Sequence, residues 1–232
     1  MKNLVIAALF VFAFAANNAN AQSDFDKAQR NLHLSAVNTC GMIKSKTGHD
    51  QAKILQSLEN LKTQVTIIQD KYVKNPPAEY AKDPLFASYF AQIKDVANTL
   101  ETKVKNENYK GAVMNCSHFC MTFGKMHAIN GTIDLTDMMF NWTMQISMTQ
   151  FMIDAGNYQG AKQNMKKLPM IYNKGSALKL KKADANFNKS FENIDELYHS
   201  WLEAVKFEDY TKAKEIFKNF SGAFPKVFKQ SI

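Results

Sequence analysis

The chain repeats itself, and that repeat limits the possible folds more than any other feature. At one constant displacement, Phe86, Phe90, Ile93, Val104, Lys105, Tyr109, Ala112, Phe119 and Phe123 fall on Phe187, Phe191, Ile194, Val205, Lys206, Tyr210, Ala213, Phe220 and Phe224. The earlier part of the chain matches at a slightly larger displacement, with Gly48–Ala52 against Gly156–Ala161 and Asp24 near Asp134, as a small length change in one loop would produce. Aromatics that coincide at core spacing mark one supersecondary unit made twice. The reading is two modules, 22–129 and 130–232.

Within each module apolar residues recur at i, i+3, i+4 and i+7, and strand-type alternation is absent, so the class is all-α. The pattern predicts helices over 24–46, 50–73, 84–106, 109–128, 135–155, 158–173, 183–207 and 210–229. Asn75-Pro76-Pro77 breaks the chain after the second, Asn130-Gly131 marks a turn after the fourth, and Gly156 suits a helix C-terminus. Asn108 and Asp209 stand where N-caps belong. Four helices per module with short connections predict two tandem up-down-up-down four-helix bundles.

Residues 1–21 read as a secretory signal peptide: Lys2, an apolar run from Leu4 to Ala16, then Ala19-Asn20-Ala21 ahead of the cut. That run is too short to span a bilayer, and nothing later offers the ~20 uncharged residues of a membrane helix. The expected location is periplasmic or secreted, with no stable membrane insertion, and a bacterial periplasm is favoured. The formal net charge is +8, spread over polar helix faces, which makes an ordinary solvated surface or one that suits an acidic redox or binding partner. Nucleic acid is not expected, since Arg30 is the single arginine and base readout relies mainly on Arg.

Asn157-Tyr158-Gln159-Gly160-Ala161-Lys162 and Asp209-Tyr210-Thr211-Lys212-Ala213-Lys214 give the modules their resemblance to a known family. At these helix starts the chain resembles the periplasmic cytochrome c-prime superfamily, which includes a soluble b-type cytochrome. The second module is similar from Asp134-Leu135-Thr136-Asp137-Met138-Met139 to its last helix. The resemblance implies four-helix bundles and a b-type haem held by a Met near the start of the first helix and a His near the end of the last. The His position falls on His127 in the first module and Phe228 in the second; the Met position falls near Gln29 and on Met139. Neither module carries both. No CxxCH occurs, so covalent haem is set aside.

Cys116, Cys120, Phe123 and His127 share one stripe of the fourth helix, and Met144, Met148 and Met152 share one of the fifth. If those helices pack antiparallel about Asn130-Gly131, His127 comes level with Met138 or Met139, Cys120 with Met144, and Cys116 with Met148. Thiolate, thioether and imidazole suit haem iron or Cu(I), which makes His127 and Met139 candidate haem ligands and Cys116, Cys120, His127, Met138 and Met144 candidate copper ligands. The alternative is that the methionines fill a helical core and His127 answers a helix dipole. With three cysteines at most one internal bridge forms. Antiparallel first and fourth helices put Cys40 within a turn of Cys116, a plausible disulfide that would leave Cys120 as the remaining thiol.

No Ser/His/Asp or paired-carboxylate set stands out, so an enzyme is not expected. Two functions remain open. One is a cytochrome-like protein binding haem b or copper for electron transfer or metal handling. The other is a cofactor-free helical module binding a protein or an apolar ligand.

Overall fold

A computed structural model describes residues 24–45, 48–179 and 184–232, so the signal-peptide reading of 1–21 lies outside the described residues. The fold is all-α: every regular element is a helix, with no strand among the described residues. The chain divides into two compact units, Met1–Thr132 and Ile133–Ile232. No helix among the described residues is long and apolar enough to cross a membrane.

Unit 1 contains α1 (24–43), α2 (Gln51–Tyr72), α3 (Phe86–Lys105) and α4 (Tyr109–Asn130). Side-chain pairs fix their directions. Ser35 bonds Gln64 and Thr39 bonds Ser57 between α1 and α2, while Lys62 bridges to Glu101 on α3 at 2.8 Å. Pairs whose numbers rise on one helix and fall on the next belong to antiparallel neighbours. Phe25, Leu32, Leu58, Tyr89, Phe90, Phe119 and Phe123 are among the fully enclosed side chains of one core shared by all four helices. Burying an aromatic or a leucine contributes roughly 1.5–3 kcal/mol each. The apolar stripe read from sequence is therefore what assembles the unit.

Unit 2 contains α5 (Leu135–Asp154), α6 (Tyr158–Met165), α7 (Leu168–Lys179), α8 (Ala185–Lys206) and α9 (Tyr210–Ser231). Thr136 donates to the Ser231 carbonyl at 3.0 Å and Lys214 reaches Asp154 at 3.1 Å, so α5 and α9 run antiparallel. Tyr172 donates to Asp195 at 2.6 Å, which ties α7 to α8. The single helix expected over 158–173 is two. Pro169 has no N–H and its ring collides with the carbonyl four residues back, at Met165, where α6 ends. In the first turn of α7 the same proline is harmless, and that helix runs on to Lys179.

Helix ends repeat as faithfully as helix faces. After α3 the Asn108 N–H returns to the Lys103 carbonyl at 2.8 Å, and after α8 the Asp209 N–H returns to Ala204 at 2.9 Å. The residue before each, Glu107 (φ 55°) and Glu208 (φ 62°), is left-handed; Gly156 (φ 73°) does the same after α5, where Asn157 bonds back to Met152. These are Schellman closures, in which a left-handed residue lets the next N–H satisfy an otherwise orphaned carbonyl. The closing residue then caps the following helix: Asn108, Asn157 and Asp209 accept from Gly111, Gly160 and Lys212. A tyrosine follows each cap. Tyr109 stacks on His49 at 3.7 Å in unit 1, and Tyr158 on Tyr210 at 4.2 Å in unit 2.

Candidate functional site

The α1–α4 seam of unit 1 gathers the chain's three cysteines and two of that unit's four histidines. Its three levels are Gln29 with His127, His33 with Cys120, and Cys40 with Cys116. Residues 29, 33 and 40 share one face of α1 as 116, 120 and 127 share one face of α4, and antiparallel packing matches them in reverse order. Gln29, His33 and His127 are all buried. The Gln29 amide lies in direct hydrogen-bonding contact with Nε2 of His127. One level along, His33 stacks on Phe123 at 4.5 Å and places Nε2 3.4 Å from the Cys120 sulfur.

Cys40 and Cys116 form a disulfide, with Cα atoms 5.8 Å apart, and Cys120 stays outside it. This corrects the expectation of Cys116 as a metal ligand: a bridged sulfur offers no thiolate, so the copper set expected at Cys116 and Cys120 loses one of its two thiolates. Cys120 keeps its thiol, half-buried beside His33.

The candidate methionine ligands Met138, Met139 and Met144 lie in unit 2. Met138 and Met139 are buried and, with Trp142, Ile171, Tyr172, Gly175 and Phe191, line a cavity of about 10 Å³, roughly one water in capacity. Met144 and Met152 are half-buried and Met148 about half-exposed, so the α5 methionine stripe lies at the margin of the core. Met139 and Phe228 occupy the repeat positions of Gln29 and His127, and both are buried. Around them an aromatic core replaces the polar seam. Trp142 contacts Tyr172, Phe191, Tyr198 and Phe220, and Trp201 donates its indole N–H to Gln150 at 2.9 Å. Burial among these rings pushes the Tyr198 hydroxyl up to about 12.

Sequence reasoning found the α4 face of the seam but not its partner His33, although Gln29, His33 and Cys40 are spaced like the residues they meet. It also passed over a surface groove of unit 2, about 380 Å³, between α6–α7 and α8. Met165, Pro169, Leu202 and Val205 line it beside Lys162, Lys166 and Lys206. The available signal was charge: between Asp154 and Asp184 the chain carries lysines and no acidic residue.

No protein-family model, curated protein or solved structure matches this chain.

Proposed function

We propose that the protein is an exported, non-enzymatic binding module made of two tandem up-down-up-down four-helix bundles, and that it works without haem. The observation that carries this reading is the contact of Gln29 with His127. These are the positions where the cytochrome resemblance would put the iron ligands of the first bundle. A carboxamide is not among the side chains that hold haem iron, so Gln29 would be a poor second ligand, and the Nε2 with which His127 would hold iron is engaged by that amide. In the second bundle the corresponding pair is Met139 and Phe228, and a phenyl ring has no lone pair to offer. The antiparallel pairs within each unit support the bundle reading. The Cys40–Cys116 disulfide supports export, since such bonds persist in oxidising compartments.

The test is an absorption spectrum of the protein purified from its own compartment, with peptide mapping of its thiols. The expected result is no Soret band and Cys40 linked to Cys116. A Soret band that disappears in His127→Ala would sink the reading.

One observation favours a second function, the handling of copper. His33 and Cys120 set a nitrogen and a sulfur side by side, the donors that Cu(I) prefers. Copper handling therefore centres on Cys120 and His33, with Cys116 withdrawn and His127 occupied by Gln29. Competitive Cu(I) titration separates the two functions: a stoichiometric site lost in both Cys120→Ser and His33→Ala favours copper, and its absence leaves the cofactor-free module.

A further inference from the structure

We propose that the groove between α6–α7 and α8 of unit 2 docks an acidic amphipathic segment of a partner protein. Its carboxylates would meet the lysines of the groove while an apolar side chain enters between them. The proposal rests on the reading of this chain as a cofactor-free binding module and names the site and the class of partner.

Charge complementarity chooses the partner. The helical element that forms one wall is purely basic, whereas its counterpart α2 in unit 1 mixes Lys53, Lys62 and Lys71 with Glu59 and Asp70. The imbalance is shared with α9, where five lysines stand against Glu215, but only on α6–α7 does it border the groove. The groove itself is amphipathic: Val205 is buried, Met165 and Leu202 are half-buried, and Lys162, Lys166 and Lys206 are exposed around them. Phe207, 74% exposed with the Lys206 ammonium 5.7 Å from its ring, continues the apolar surface beside the groove. Exposed apolar area with a charged margin is the ordinary signature of a docking surface.

The protein already places one carboxylate there. Glu208, from the left-handed turn after α8, pairs with Lys162. That pair is exposed and exchanges readily with another carboxylate, because surface ion pairs contribute little. A partner glutamate or aspartate would replace Glu208 on Lys162 and engage Lys166 and Lys206 as well. Concavity argues for a peptide over a bilayer, since a groove of this size admits a side chain, as in helix-in-groove recognition, while a flat headgroup surface would leave its floor unfilled.

The experiment uses the full mature chain and a fluorescein-labelled helical peptide of glutamate and leucine, read by anisotropy. The same peptide with glutamine for glutamate and vesicles of phosphatidylglycerol are run in parallel. The acidic peptide should bind and the glutamine peptide should not. The double variant Lys166→Glu/Lys206→Glu should weaken binding by about tenfold or more, and Leu202→Gln by several-fold. Glu208→Gln should tighten it, because the internal competitor is gone. Lys226→Glu on α9 is the charge control and should leave binding unchanged. The proposal is overturned if the peptide does not bind, if Lys226→Glu weakens binding as much as the groove variants, or if the vesicles bind and the peptide does not. A peptide that fails in a protein lacking a Soret band removes this site alone; a Soret band removes the underlying reading whatever the peptide does.

Discussion

The two units use the same helix faces and the same turns, yet fill equivalent seams with opposite chemistry. In unit 1 the contact between first and last helices is polar and cross-linked: Gln29 on His127, His33 on Cys120, Cys40 bonded to Cys116. In unit 2 the repeat positions of the first two levels hold Met139 and Phe228, then Thr143 and Ser221, and rings centred on Trp142 supply the cohesion. Gln150 takes the place of Cys40 and receives the Trp201 indole. Both units rest on an apolar core, but at this seam one adds a covalent staple and the other aromatic volume. Because their sources of stability differ, single substitutions should separate them.

The largest separation should come from Trp201→Ala. This side chain is 1% exposed, and its loss removes a large buried volume together with the hydrogen bond to Gln150. Large-to-small changes of this kind cost about 3–5 kcal/mol. Calorimetry should show the transition of unit 2 collapse toward ambient temperature while that of unit 1 stays in place. A uniform drop in both transitions would mean that the units do not unfold independently.

Removing the staple should do the converse. Cys40→Ala with Cys116→Ala should lower the unit 1 transition by about 2–4 kcal/mol, since the bond closes a long loop that otherwise adds unfolded-state entropy. Reduction by dithiothreitol should reproduce the shift in the wild-type chain and leave unit 2 untouched. If neither treatment moves unit 1, the aromatic core alone supports both units and the contrast fails.

A smaller effect tests whether the polar level of unit 1 can be rewritten as that of unit 2. His127→Phe alone leaves the buried Gln29 amide without its imidazole and should cost about 1–3 kcal/mol. Adding Gln29→Met installs the residues that unit 2 carries at these positions and should recover most of that loss, a coupling that a double-mutant cycle reads directly. Additive losses in urea denaturation would mean that the two side chains are independent despite their contact.

These tests also mark what the residues alone could and could not reveal. The all-α class and the helix ends were legible because caps, closing glycines and the i, i+3, i+4 stripe act locally: Asn108 and Asp209 begin helices in sequence and in structure. The single helix expected over 158–173 divides into α6 and α7 because Pro169 acts through a steric clash that helical periodicity does not register. At the seam, the α4 residues stood out as a group, whereas His33 and Gln29 acquire meaning only from the helix facing them. The pairing of His127 with Met139 rested on consecutive helices packing antiparallel about Asn130-Gly131; within unit 1 His127 meets Gln29, and within unit 2 Met139 lines the Trp142 cavity. Packing partners are long-range facts, and a local stripe supplies only half of each pair.

The smallest effect concerns the one place where the units agree too well. Glutamate holds the left-handed position after both α3 and α8, although a side chain there costs roughly 1–2 kcal/mol, while the α5 turn uses Gly156. Glu107→Gly relieves that strain but gives the unfolded chain more freedom, worth about 0.4–1 kcal/mol in the other direction. The net gain in unit 1 should be about 0–1.6 kcal/mol, seen as a small rise in its transition. Glu208→Gly relieves the same strain but also breaks the ion pair with Lys162, so unit 2 should gain less than unit 1. A slightly smaller gain in unit 2 fits an exposed pair that a partner carboxylate can displace, and equal gains would show that the pair contributes nothing to the fold; a net loss in unit 2 would show that Glu208 is a structural fixture of that groove.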